Sequence, residues 1–503
     1  MKRIKLAALL AAPLLSCALM ASATAQTPAS SESSALQKDG LLNRLIEQTG
    51  VYNRSKTGKT PEFVADPTWP QLLPHNWLLG QIGGMYVDSH DNVWVYNRPR
   101  TLTNDEAGLE PAIPGKTDEK GQPINGLGFV RANGFGGDCC MSAPSVLEFS
   151  AAGKLLRSWG GPSDPGWLAS HCKAADGCIW PNSEHGIYVD THDNVWIAGN
   201  TAAPRPGARG RTSIPWATNE DGGDGFVLKF DVNGNFKMRI GGTPKGPDSN
   251  NKDSGINGTP TLYQPADMTV DPKTNLLYVA DGYGNRRVLI VNADTGKYVG
   301  HFGAYGNNPI DDAGAAAQGL WGDDAPKGHL KPAFFRSPVH CVKIANDGKI
   351  YVCDRGNDRI QVFDGNDPNL GKPCSNPDGE VGKCGFLAER FISGKSYTLP
   401  LLPGTAVSMN FSPDAAQSCL YVGDNTNQTV YILNRQNLQE LGRVGHAGRM
   451  VGDLNWLHQV TIDSKGNLYT GEVSEGKRIQ KFVRYGADSC SGTGSQTVGG
   501  PLP

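Results

Sequence analysis

The sequence predicts an all-β fold, a six-bladed β-propeller, from three observations. One strand–turn–strand unit recurs six times along the chain. Several copies continue into a third strand and a fourth that ends in glycine, and four antiparallel strands make one blade. Glycine (64 residues) and proline (34) are too frequent over 503 residues for a helical protein, and they suit short strands joined by many turns.

The elements follow in chain order. Lys2, Arg3 and Lys5 precede an apolar run from Leu6 to Met20, and Ala23-Thr24-Ala25 offers a small-residue cleavage site, so residues 1–25 read as a signal peptide and the mature protein as secreted, periplasmic or extracellular. A lipoprotein site at Leu14-Leu15-Ser16-Cys17 is the alternative. Residues 26–65 read as a linker and N-terminal extension, with a short amphipathic helix over 35–48 packed outside the ring. The propeller is expected over 66–486 and a disordered tail over 487–503.

The first copy runs Gly84-Met85-Tyr86-Val87-Asp88, turns through His90-Asp91-Asn92 and continues as Val93-Trp94-Val95. The second is nearly identical, from Gly186-Ile187-Tyr188-Val189-Asp190 to Val195-Trp196-Ile197, and later copies begin near Asp267, Cys341, Ser408 and Gln459. The third and fourth carry a more specific signature, Asp281-Gly282-Tyr283-Gly284-Asn285-Arg286-Arg287-Val288 and Asp354-Arg355-Gly356-Asn357-Asp358-Arg359-Ile360, and these resemble NHL repeats. The last copy supplies only three strands. Trp77-Leu78-Leu79-Gly80-Gln81-Ile82-Gly83 has the fourth-strand pattern ahead of the first copy, so it is expected to complete the final blade and close the ring, leaving no open sheet edge. Insertions over 99–141, 201–225 and 303–336 lack periodic apolar pattern and read as long loops over one face.

Aligning the copies on the last apolar residue of the first strand gives one informative column: Gly83, His185, Ala266, His340, Val407 and His458. Histidine occupies the second, fourth and sixth blades alone. Alternate blades of six stand about 120° apart and first strands line the central channel, so His185, His340 and His458 are expected to form a facial metal site with an open position. Zinc is favoured, because neutral imidazole suits it and a site of three protein ligands keeps a place for water or substrate, with other divalent transition metals as alternatives. Just after the second strands stand Arg98, Tyr283 and Arg355, at the same channel mouth. A tyrosine beside a metal can serve as base, and arginine offers a bidentate fork to a carboxylate. Asp281 and Asp354 are read as structural, satisfying turns and interblade contacts.

Eleven cysteines become ten once Cys17 leaves with the signal, which allows up to five disulfides in an oxidising compartment. Cys172 with Cys178 and Cys374 with Cys384 suggest loop staples, and Cys341 could bridge to Cys353 on the neighbouring strand. A net charge of −2 with no block of like charge gives no argument for nucleic acid, and no later apolar stretch is long enough to span a membrane. Small or neutral partners are favoured.

The set of three histidines, Asp281-Gly282-Tyr283 and the arginines resembles the peptidyl-α-hydroxyglycine α-amidating lyase family, over most of 83–485. The resemblance implies a secreted six-bladed propeller that cleaves a C-terminal hydroxyglycine to a peptide amide and glyoxylate. It implies that zinc is held where His185, His340 and His458 stand, that Tyr283 is the catalytic base, and that Arg98 and Arg355 bind substrate. The substrate would be a small molecule or a peptide C-terminus. Two positions depart from the family. The residue after the last histidine is Gln459 rather than aspartate, which argues against the family's structural calcium, and Trp456 replaces a methionine in the pocket wall. Two other readings compete: a non-catalytic NHL propeller that binds a partner over the channel face, and a metal-dependent hydrolase or lactonase. The channel column holds no Asp or Glu, against the hydrolase, and no CxxCH motif supports haem.

Overall fold

The blades begin in their turns. Asp88 ends a strand, and its carboxylate accepts hydrogen bonds from the backbone N–H groups of His90 (2.8 Å) and Asn92 (2.9 Å) and from the Trp94 indole (2.8 Å). Asp190 does the same for His192, Asn194 and Trp196 in the next copy. Asp91 and Asp193 take left-handed backbone in these turns (φ 62° and 57°), a conformation that short polar side chains tolerate. One residue type thus closes the hairpin and ties the second strand to it.

The computed structural model describes residues 53–55, 60–103, 106, 112–117, 120–125, 139–201, 223–311, 334–392 and 404–490. The expected signal peptide, the helix at 35–48, most of the three insertions and residues 491–503 lie outside these. Six antiparallel sheets of four or five strands form the expected propeller. The innermost strands are Gln81–Val87, Glu184–Val189, Pro265–Asp271, Val339–Ile344, Ala406–Phe411 and Leu457–Ile462, in blades 1 to 6. Each lies against the next, and that of blade 6 lies against blade 1. Among the described residues six clusters of apolar side chains lie one between each pair of neighbouring blades, and a small seventh, Val64 with Val483, lies within blade 6. Trp94, Trp180, Trp196 and Tyr431, for example, are buried at these seams. Burial of this kind, repeated around the ring, is what holds blades that share no strand.

The strand that closes the ring differs from the expectation. Trp77–Leu78 pairs in parallel with Met141–Ser142, and the rest of that stretch, from Gln81, already belongs to the first strand of blade 1. No chain is left there to cross to blade 6. Pro61–Ala65 completes blade 6 instead, antiparallel to Ile479–Gly486, with Phe63 and Ala65 buried between blades 5 and 6. Asn53–Ser55 adds a fifth strand to blade 5. Residues assigned to the N-terminal extension are therefore part of the propeller.

Three disulfides join the expected pairs, Cys172–Cys178, Cys341–Cys353 and Cys374–Cys384. Cys139–Cys140 and Cys419–Cys490 make up five. The last corrects the tail: Cys490 is buried and bonded to the second strand of blade 5, so order extends past 486. Five disulfides mark a protein of an oxidising, extracellular or secretory compartment. Among the described residues no helix is long and apolar enough to cross a membrane.

Candidate metal centre

A defect in the strand register aims the histidines. In blade 4, Val339 pairs with Asp354 and Cys341 with Cys353, which leaves His340 opposite no partner. His458 is bypassed between Leu457 and Gln459, and His185 with Gly186 between Glu184 and Ile187. A β-bulge turns its extra residue out of the ladder, here toward the axis. Gly83, Ala266 and Val407 occupy the same bulge in the other blades. Gly186 is required for close packing, because a Cβ there would meet the Ala266 carbonyl at 2.6 Å.

The three imidazoles form a near-equilateral triangle, with ring centroids 4.9, 4.8 and 4.9 Å apart and one nitrogen from each within 4.8 Å of the others. Their other nitrogens fix the tautomer. His185 Nδ1 lies 2.7 Å from the Ala266 carbonyl, His340 Nδ1 contacts the Val407 carbonyl, and His458 Nδ1 lies 3.1 Å from the Ile82 carbonyl. The Gln459 amide also approaches His458 Nδ1 (3.3 Å) but donates more closely to the Gly83 carbonyl (2.9 Å). A carbonyl only accepts, so each Nδ1 carries the proton and each Nε2 presents a lone pair to the axis. Such outer contacts are the usual support of metal-binding imidazoles.

Charge agrees with this. Burial pushes all three histidines well below the ordinary value of 6.5, and the arginine charges push in the same direction: Arg98 on His185 and His458, Arg355 on all three. The rings stay neutral, the form that binds a metal. Three converging lone pairs of buried neutral rings fit a divalent cation, and a triad of nitrogen donors suits zinc or its transition-series neighbours.

Tyr283 reaches the same point. Its hydroxyl lies 3.1 Å from His185 Nε2 and 3.0 Å from His340 Nε2, and it accepts a hydrogen bond from Arg355 Nη1 at 3.1 Å. Its backbone is held by an N–H bond to the Gln264 carbonyl and by the Ser337 hydroxyl on its own carbonyl. The residue before it must be glycine, since a Cβ on Gly282 would sit 1.9 Å from the Val339 carbonyl. Asp281 and Asp354 are structural, as expected. Their carboxylates accept from Arg287 Nε (2.9 Å) and Arg359 Nε (2.7 Å) and from the backbone N–H groups of Tyr263 and Arg336.

Arg98 is built in differently from Arg355. Its Nε donates to the Glu184 carbonyl, and its two terminal nitrogens reach Gln81 Oε1 (3.3 Å) and Asn200 Oδ1 (3.4 Å). Arg355 Nε has no partner among the described residues. Blade 5 places Asn425 at the position that Arg98 holds in blade 1 and Arg355 in blade 4, one residue past the partner of the residue before the bulge. Residue chemistry did not single it out in the sequence, although the shared register could have.

A family profile for the NHL repeat matches residues 339–363, the first strands of blade 4. Peptidyl-glycine alpha-amidating monooxygenase B of Xenopus laevis is 25% identical over 210 residues, which is 42% of this chain and 19% of that protein. NHL repeat-containing protein 3 of Mus musculus is 24% identical over 370 residues, 72% of this chain and 77% of that one. The alignment thus spans about a fifth of the amidating protein's length. A solved structure titled streptogramin B lyase aligns over 86% of this chain and 98% of its own at 11% identity, with a TM-score of 0.38, too low to argue from. The chain carries an NHL repeat and is distantly similar to both curated proteins.

Proposed function

We propose that this is a secreted, zinc-dependent carbon–nitrogen lyase that cleaves an α-hydroxyglycine-type substrate, at the C-terminus of a peptide or on a small molecule, to an amide and glyoxylate. One observation carries the reading: a tyrosine hydroxyl lies within hydrogen-bond distance of two triad nitrogens and of a guanidinium. A zinc ion held by His185, His340 and His458 would supply Lewis acidity toward the substrate hydroxyl oxygen.

The chain's own residues do the rest. Tyr283, whose oxygen Arg355 Nη1 holds in place, acts as the base that takes the proton from the substrate hydroxyl. As that C–O single bond becomes a carbonyl, the C–N bond breaks, its electron pair goes to nitrogen, and Tyr283 returns the proton there. The products are an amide and an aldehyde acid, with no oxidant or reductant required. The free side of the Arg355 fork would pair with the substrate carboxylate, and Arg98 would add positive field across the triad.

The test is glyoxylate release from a short peptide ending in α-hydroxyglycine, with purified mature protein beside His340→Ala. Release by the first and loss by the second of at least about 1,000-fold is the expected result. No release by wild-type protein that holds zinc would overturn the substrate, and the metal site would then serve other chemistry.

A further inference from the structure

Every histidine of the triad is gripped from both sides by odd-numbered blades. On the trailing side the grip is the carbonyl that accepts from Nδ1: Ala266 of blade 3, Val407 of blade 5 and Ile82 of blade 1. On the leading side the preceding odd blade holds the residue just before the histidine. Blade 1 places Arg98 Nε on the Glu184 carbonyl, and blade 3 places the Gly282 carbonyl on Val339 N–H at 3.2 Å. Blade 5 grips Leu457 at both of its backbone groups: the Asn425 amide donates to its carbonyl, and Gln428 Oε1 accepts from its N–H at 2.9 Å. Gln428 Nε2 also donates to the Asn425 carbonyl, which closes the turn on itself.

The lead-in to His458 needs such a grip. Trp456 has left-handed backbone (φ 58°) although it is large and not glycine, and it is more than a third exposed. That conformation costs about 1–3 kcal/mol and persists only where neighbours enforce it. Leu457 stands between this strained residue and the histidine.

We propose that Asn425 and Gln428 are positioning residues that set His458 for metal binding. The proposal rests on the metal reading above. Metal ligands must sit within about 0.2 Å of their ideal distances, so a loosened His458 costs affinity even when the blade stays folded.

The experiment is zinc affinity by competition with a fluorescent chelator, with thermal unfolding as the check on folding. Asn425→Ala, and the isosteric Asn425→Asp, which has no N–H to give, should bind zinc roughly 10- to 100-fold more weakly than wild type. Gln428→Ala should also weaken binding, whereas Gln428→Glu keeps an acceptor for Leu457 N–H and should stay within about threefold of wild type. Val473→Ala is the control, at the same position of blade 6, which precedes a blade whose bulge holds Gly83 rather than histidine. Folded Asn425→Ala, Asn425→Asp and Gln428→Ala proteins with wild-type affinity would overturn the brace alone. Wild-type protein that binds no divalent metal would overturn the metal reading as well, so the two failures are distinguishable.

Discussion

Blades 2, 4 and 6 place histidine in the bulge of the innermost strand, and blades 1, 3 and 5 place Gly83, Ala266 and Val407 in the same bulge. The backbone offers six equivalent positions facing one axis. The even blades supply lone pairs, while the odd blades supply the carbonyls that orient them and Tyr283 between two of them. The difference teaches that in a closed repeat the copies divide labour: one set presents imidazoles because the other holds them in place.

The sharpest way to break this division is at Tyr283. Tyr283→Phe should lower turnover by about 100- to 10,000-fold, the usual worth of a positioned acid–base group, with zinc content unchanged. Equal loss of zinc would make the tyrosine part of the support instead. A smaller effect separates the two arginines. Arg355→Lys should raise KM for an α-hydroxyglycine substrate roughly tenfold, because a point charge replaces a fork. Arg98→Lys should weaken zinc binding more than it raises KM, since Arg98 holds the residue before His185. Identical effects of the two substitutions on KM would erase that distinction.

The smallest effect is on acid stability of the metal-free protein. The triad's folded values lie well below 6.5 while unfolded histidine titrates near it, so the stability these groups confer is complete above about pH 6.5 and is lost as pH falls. Each contributes a slope of at most about 1.4 kcal/mol per pH unit. His458→Val, which gives blade 6 the residue type of Val407, should flatten the fall by about one such slope between pH 6 and 5 in chemical denaturation. An unchanged slope would mean that His458 does not titrate differently on unfolding.

The ring and the triad were legible in the sequence because repetition aligns equivalent backbone positions, and a column then exposes what varies. Ring closure was not, because Pro61–Ala65 lacks the terminal glycine of other fourth strands and its partners near Ile479–Gly486 lie at the far end of the chain. Arg98 and Arg355 look alike in sequence, and only their contacts separate them. Asn425 and Gln428 act on backbone groups of Leu457, which no pattern of side chains reveals. Cys490 could not be assigned to Cys419, since spacing alone does not choose among the pairings of ten cysteines.

Closure by Pro61–Ala65 also joins the two ends of the propeller in one blade. Blades 2 to 5 each take four strands consecutive in the chain, whereas blade 1 takes its outer two, Val146–Phe149 and Leu155–Trp159, from beyond an insertion. Blade 6 alone takes its fourth strand from the opposite end of the described chain, and bringing the two together must overcome the entropy of the longest loop in the molecule. His458 lies in blade 6 and donates to Ile82 of blade 1, where the last blade meets the first. The histidine triad is therefore whole only when the ring is, and on the proposed reading a cation held there would tie the two ends of the propeller together.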